Sequence, residues 1–238
     1  MHRERVFMNV HSPRAAEAAT SRRRGGHRSD LRAHRAKELR GRLLDAAEAL
    51  LAERQAAAIT ARDIARRAAV SDGVLYNHFD DKHELVVAAL VRRFERLVEA
   101  FQAEISQATP SPAPPRLDVD LDRLVGASFR LHAAALPMLA NVLSEPALFQ
   151  RFMVAIHRPA LGPRVFIDPI EAHLGSERDA GRLGDVDPGA ATGLLVGSIL
   201  LLALQDLIVP RPTEVIEAHL HEAVRALVIG LAPRTPAP

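Results

Sequence analysis

The chain has 238 residues, 48% of them apolar, enough for one large or two small domains with a buried core. It has no cysteine, which excludes disulfides, thiolate metal sites and a cysteine nucleophile and suits a reducing compartment. The net charge of +2 conceals an asymmetry, about +8 over residues 1–42 and −6 over the rest, so one end is suited to a polyanion. No continuous apolar stretch opens the chain, so the expectation is a cytoplasmic protein without a secretory signal.

Residues 1–34 lack a sustained apolar period and include Arg22, Arg23, Arg24, Gly25 and Gly26; they are expected to be a disordered basic arm. Leu39, Leu43, Ala47, Leu50 and Leu51 then form one stripe on a helix predicted from about Arg35 to Arg54. A short helix follows from Thr60, which can cap it. Asp63 reaches back to that cap, and Ile59 is at staple spacing from Ile64. After Ala68, Ala69 and Val70 comes Ser71, the expected cap of a second short helix. Leu75 and Phe79 point inward on it, leaving Asp72, Gly73, Tyr76 and Asn77, with Val74 and His78, on the outer faces. Two short helices joined by a three-residue turn make a helix-turn-helix. Asp80 or Asp81 caps a long helix whose inward positions are Val86, Leu90, Phe94, Leu97, Phe101 and Ile105.

The proline-rich stretch 109–115 is expected to be a loop. Beyond it helices are predicted over Leu121 to Val142, Glu145 to His157, Pro159 to Leu174, Pro188 to Ile208 and Thr213 to Gly230. The apolar run from Gly189 to Leu204 falls short of the ~20 residues of a membrane span, so it is expected to be a buried helix and no membrane partner is assigned. No period-two strand pattern occurs, and the expected fold is all-α.

Residues 43–90, "LLDAAEALLAERQAAAITARDIARRAAVSDGVLYNHFDDKHELVVAAL", resemble the N-terminal DNA-binding domain of the TetR family of transcriptional regulators. The matching residues are Leu43, Leu44, Asp45, Ala46 and Ala47, then Ala52, Glu53, Arg54, Thr60, Asp63, Ile64 and Ala65. They continue through Val70, Ser71, Gly73, Leu75, Tyr76, Phe79, Lys82 and Leu85. The resemblance implies a three-helix helix-turn-helix domain over 35–96, joined by a long helix to a ligand-binding and dimerisation domain over 97–238. The implied function is a ligand-released repressor, a homodimer on a palindromic operator in double-stranded DNA, with half-sites ~34 Å apart.

The residues add chemistry to that expectation. Gly73 permits close approach, the Tyr76 hydroxyl can reach a phosphate, and Asn77 can pair with adenine or stay solvated. The family uses the positions of Tyr76 and His78 against the backbone and those of Thr60 and Lys82 at phosphates; helix N-termini suit phosphates independently. Thr60 and Ser71 are also caps whether or not DNA binds. With Arg62, Asp72 and Val74 these residues form the candidate interface. Three positions depart from the family: Asp72 where a basic residue is common, and Gln55 and Ala69 where glycines are common. Asp72 favours the helix dipole but repels a phosphate, and it can instead accept from a cytosine amino group.

In the second half, Phe129, His132, Phe149, Met153 and His157 are candidates to line the pocket of an unknown small-molecule effector. Gly189, Gly193 and Gly197, four apart, are candidates for close helix approach across a dimer interface, the alternative being internal packing. His132, His157, His173, His219 and His221 are never three or four apart on a helix, and there is no phosphate loop or nucleophile elbow. Neither an enzyme, a metal nor a cofactor is expected. The rival is a dimeric protein of this fold that has lost DNA binding, for which Asp72 is the support.

Overall fold

The computed structural model describes residues 13–106 and 117–231, and every regular element among them is helical. In chain order these are α1 (Pro13–Glu53), a 3-10 turn (Ala56–Ala58), α2 (Ala61–Arg67), α3 (Asp72–Tyr76), α4 (Lys82–Ser106) and α5 (Leu117–Val142). Then follow α6 (Pro146–Ile156), α7 (Arg164–Asp179), α8 (Pro188–Ile208) and α9 (Thr213–Leu231). The proline-rich loop expected at 109–115 lies outside the described residues, as do residues 1–12 of the expected arm.

The expected stripe on α1 is buried at Leu43, Ala47, Leu50 and Leu51, and Leu39 is half-buried. The helix starts earlier than expected, at Pro13, so residues 13–34 are helical where disorder was expected. Residues 13–34 are rich in alanine and arginine, good helix formers, and no proline follows Pro13 to stop the helix; Gly25 and Gly26 weaken it without ending it.

Two apolar cores share the long helices. The first joins α1 to α4 with the second half of α5 and α6, through Leu43, Ile64, Leu75, Phe79, Phe94, Leu131, Val142 and Phe152. The second joins the first half of α5 to α7, α8 and α9 through Leu121, Ile170, Leu174, Ile199 and Val224. Ile105 packs against both, so α4 joins α5 in reaching the two cores. Polar links reinforce the pairing of α1 with α4: Arg92 donates to Glu48 (2.7 Å) and Asp45 (2.6 Å).

Another boundary moved. The helix expected from Pro159 begins at Arg164, because residues 158–163 close into turns in which Leu161 and Gly162 donate to the Arg158 carbonyl (3.0 and 2.6 Å). Pro163, not Pro159, stands at the helix entry, and Pro169 is accommodated in the first turns. Asp81 caps α4 by accepting from the Glu84 amide (2.7 Å). The helix α8 was expected to be buried, yet only its Ala191, Thr192, Leu195, Ile199 and Ala203 side is covered; Leu194, Leu201, Leu204 and Ile208 are exposed.

Candidate nucleic-acid interface and effector cavity

The helix α2 begins with the expected capping box. Thr60 accepts from the Asp63 amide (3.1 Å), while Asp63 accepts from the Thr60 amide (3.1 Å) and hydroxyl (2.8 Å). The Thr60 side chain and backbone together hold the Asp63 carboxyl below the ordinary aspartate range, helped by Arg54 and Arg66. The one hydroxyl proton of Thr60 is therefore committed within the chain.

At its other end α2 closes with a Schellman motif. Val70 donates to Ala65 (3.0 Å) and Ala69 to Arg66 (3.2 Å), which places Ala69 at the left-handed position with φ 53°. This is where the family's glycine was missing; alanine holds the same conformation at a steric cost. Arg42 of α1, unforeseen in the sequence, donates to the Ala68 carbonyl and to that of Ala69 (3.3 Å), so a long-range cation completes the turn.

That turn sets α3 on the surface. Leu75 and Phe79 are buried as expected, each contributing on the order of 2 kcal/mol by burial, and Arg40 stacks over Phe79 at 4.4 Å. Asp72, Gly73, Tyr76 and Asn77 are exposed, and Val74 and His78 are half-covered. Tyr76 is 57% exposed, which excludes a core role for the chain's single tyrosine. A methyl group added at Gly73 would meet nothing within 4 Å, so no packing within the chain calls for glycine there. Ser71 occupies the cap position without the expected cap bond. The Val74 amide, which its hydroxyl would have served, donates instead to the Ser71 carbonyl (3.0 Å), and the hydroxyl stays exposed.

The basic groups around α3 are unequal. Arg62 is exposed and makes no ion pair among the described residues, whereas Arg66 is held by Asp63 (2.9 Å) and Arg67 by Glu53 (2.8 Å). Lys82 is turned inward, donating to the Ala56 carbonyl (3.4 Å) with Glu145 at 3.8 Å. Arg22 to Arg24 lie within α1.

A belt of polar contacts ties this unit to the second half. Glu145, just before α6, meets His83 Nε2 (2.9 Å), and Arg151 donates to Asp81 (2.8 Å), whose carboxyl is held below the usual range first by that hydrogen bond. Asn141 at the end of α5 accepts from the Ala56 amide (2.7 Å) and donates to Leu51 (3.0 Å) and Arg54 (3.3 Å) carbonyls. A lone asparagine on an apolar helix carries no sequence signal for such a clasp.

Above the belt is a cavity of about 220 Å3 lined from α4, α5, α6 and α7, with Leu200 of α8. Of the five expected residues, His132, Met153 and His157 line it. Phe129 instead belongs to the second core, one residue after Ser128 and on the α8 and α9 side of α5, and Phe149 packs against the first core. Phe94, Met138, Phe152 and Phe166 line it without having been expected; apolar periodicity marks a buried face but not which part of it leaves a gap.

On α8, Gly193 and Gly197 are exposed with nothing within 4 Å of an added methyl, so internal packing does not explain them. Gly189 faces Asp187 and Glu171 of its own chain, with Asp187 3.2 Å and Glu171 3.6 Å from an added methyl. No three histidine or carboxylate groups gather to hold a metal among the described residues.

Comparison with known proteins agrees with this geometry. The family model of bacterial regulatory proteins of the tetR family matches residues 43–89. Over 68 residues the chain is 44% identical to the HTH-type transcriptional repressor KstR of Rhodococcus jostii, covering 29% of this chain and 32% of that one. Over 85 residues it is 40% identical to the HTH-type transcriptional activator FasR of Mycolicibacterium smegmatis, covering 36% and 38%. These matches span about a third of the relatives' length. The fold is similar over most of the chain to the transcriptional regulator FadR of Bacillus subtilis in complex with stearoyl-CoA. There the TM-score is 0.55 at 17% identity, covering 80% of this chain and 98% of that one. Residues 43–89 therefore carry a helix-turn-helix similar to that of the tetR family of bacterial regulatory proteins, within an all-α fold similar to that of such regulators.

Proposed function

We propose that the protein is a sequence-specific DNA-binding transcriptional regulator of the bacterial cytoplasm, a homodimeric repressor released from a palindromic operator by a small molecule. The observation that carries this is the outer side of α3. Gly73 is open, Tyr76 and Asn77 are exposed, and nothing inside the chain accounts for that choice of residues. A helix entering a major groove ~12 Å wide needs a small residue at the point of approach and polar side chains beside it. In this reading Ser71, Tyr76 and His78 meet phosphates with Arg62, Asn77 and Asp72 read base edges, and Val74 packs on the groove. Thr60 and Lys82 contribute mainly through the helix ends that they organise, since both side chains are engaged within the chain.

The dimer reading is supported by the open stripe of α8, where Gly193, Leu194, Gly197, Leu201, Leu204 and Ile208 recur at helical spacing and are exposed. Release by ligand is supported by the belt: α6 lines the cavity with Phe152, Met153 and Ile156 and is tied near its start to the residues that open α4. The KstR name supports repression, whereas the FasR name shows that a similar DNA-binding domain also serves an activator.

The test is a gel shift on the protein's own promoter region with Gly73→Ala and Tyr76→Ala. In the free protein Gly73→Ala is neutral or stabilising by up to about 1 kcal/mol, because alanine favours the helix and meets no neighbour; on DNA both variants lose affinity. Retention of the parent shift by both variants refutes this docking. Absence of any shift by the parent favours the second reading, a dimeric partner without DNA binding, to which the exposed Asp72 and the covered Lys82 lend support.

A further inference from the structure

We propose that the cavity between α4, α5, α6 and α7 receives a compact hydroxylated hydrocarbon, an alkylphenol or alcohol whose O–H donates to Nε2 of His132. The inference rests on the reading of this cavity as the effector site and adds the chemical class of the effector.

The ring of His132 is fixed by its own helix. Its Nδ1 stands 2.7 Å from the Ser128 carbonyl oxygen, with the Ser128 hydroxyl at 3.5 Å. A carbonyl only accepts, so the proton is on Nδ1 and the lone pair is on Nε2. With Nδ1 turned back to α5, the opposite tip of the ring is the part that faces the cavity. Phe166 packs edge-on against the ring at 4.5 Å and keeps it from turning. Burial also pushes the His132 pKa below the ordinary histidine value, which keeps the ring neutral and its Nε2 an acceptor near pH 7.

The remaining wall is apolar. Phe94, Met138, Phe152 and Phe166 surround the histidine, and among the described residues no lysine, arginine, aspartate or glutamate lines the cavity. An anion or cation placed inside would lose its hydration without a counter-charge, which selects a neutral ligand. The other polar side chain in the wall among the described residues, His157, is exposed at the end of α6, at the rim. The volume of about 220 Å3 lies between the ~150 Å3 that takes benzene and the ~300 Å3 at which drug-sized sites begin, so the ligand has about ten heavy atoms.

The experiment is calorimetric titration of the full chain with 4-propylphenol, 4-propyltoluene and 4-propylbenzoate, which share a shape and differ at one group. The phenol is expected to bind about tenfold more tightly than the toluene, whose methyl leaves Nε2 unpaired, and the benzoate most weakly. In His132→Phe the gap between phenol and toluene closes while toluene affinity persists, which also shows that the variant is folded. His132→Gln, with an amide oxygen near the place of Nε2, restores part of the gap. Equal affinity for phenol and toluene in the parent, or an unchanged gap in His132→Phe, overturns the assignment of His132 while leaving the cavity a ligand site. Preference for the benzoate overturns the ligand class. Failure of all three to bind overturns both this inference and the effector reading beneath it. Should His132→Phe not fold, the order of the three ligands on the parent and on His132→Gln decides.

Discussion

Replacing Ala69 by glycine should stabilise the protein. Ala69 is the residue with positive φ other than glycine among those described, at 53°, in the left-handed region that costs an L residue about 1–2 kcal/mol. Its methyl is exposed, so removing it forfeits little burial. Against the relief stands the greater freedom of glycine in the unfolded chain, about 0.4–1 kcal/mol. The difference favours the variant by about 0.5–1 kcal/mol, which for a chain of this size corresponds to about 2 °C in Tm. Urea unfolding at matched protein concentration measures it, since the midpoint of the proposed dimer would shift with concentration. Ala68→Gly is the internal control: Ala68 has φ −77° and is buried, so glycine there should cost about 0.5–1 kcal/mol. Two substitutions one residue apart thus carry opposite signs. If Ala69→Gly also destabilises, the left-handed closure of α2 is wrong and with it the angle at which α3 is presented.

Asn141→Ala removes three hydrogen bonds and leaves the amide of buried Ala56 without its partner, an expected loss of about 2 kcal/mol in chemical denaturation. Glu177, buried beside Arg182 and bonded to it at 2.5 and 2.6 Å, has its pKa lowered chiefly by that arginine. A depressed carboxyl pKa stabilises the fold above the ordinary glutamate value of 4.5, and that stability is lost as pH falls through the folded value. Glu177→Gln should therefore cost about 1 kcal/mol at pH 7, discounted because Arg182 is 42% exposed, and flatten the acid limb of a stability profile below about pH 5. Asp72→Lys should raise affinity for non-specific DNA and steepen its salt dependence by about one phosphate contact; loss of affinity for one operator alone would show instead that Asp72 reads a base.

The helix-turn-helix was legible because its signals are local. Thr60 with Asp63, Ile59 with Ile64, and Leu75 with Phe79 each lie within five residues of one another, so spacing alone fixes their relation. The cap expected of Ser71 failed at the same scale because the Val74 amide had a nearer backbone acceptor, a competition that composition does not express. The groups that hold the unit in place are non-local. Arg42 reaches residues 68 and 69, and Asn141 reaches residues 51 to 56, across distances in sequence where no pattern survives. The cavity is harder still, since it is a failure of filling. Phe129 and His132 look alike as members of an apolar helix, and only the packing of α6 and α7 on one side and α8 and α9 on the other separates them. Likewise the uniformly apolar α8 gives no period from which to tell its buried side from its open one.

The helix α6 meets both the cavity and the residues that open α4. The helix has 11 residues and so spans about 16 Å. Met153 and Ile156, toward its far end, wall the cavity; Glu145 before its first turn and Arg151 along it hold His83 and Asp81, the residues that open α4 directly after α3. The cavity contacts are apolar and yield to whatever fills the space, whereas the α4 contacts are directional hydrogen bonds that must move together or break. In the proposed release, a ligand that lifts α6 from Phe94 is therefore felt at Asp81 and His83 before it is felt in the core of the helix-turn-helix. Asn141 sets the opposing constraint by holding the end of α5 to residues 51–56. In the proposed release, the links of α6 to Asp81 and His83 are the route by which a difference in ligand affinity between two orientations of α3 would be transmitted.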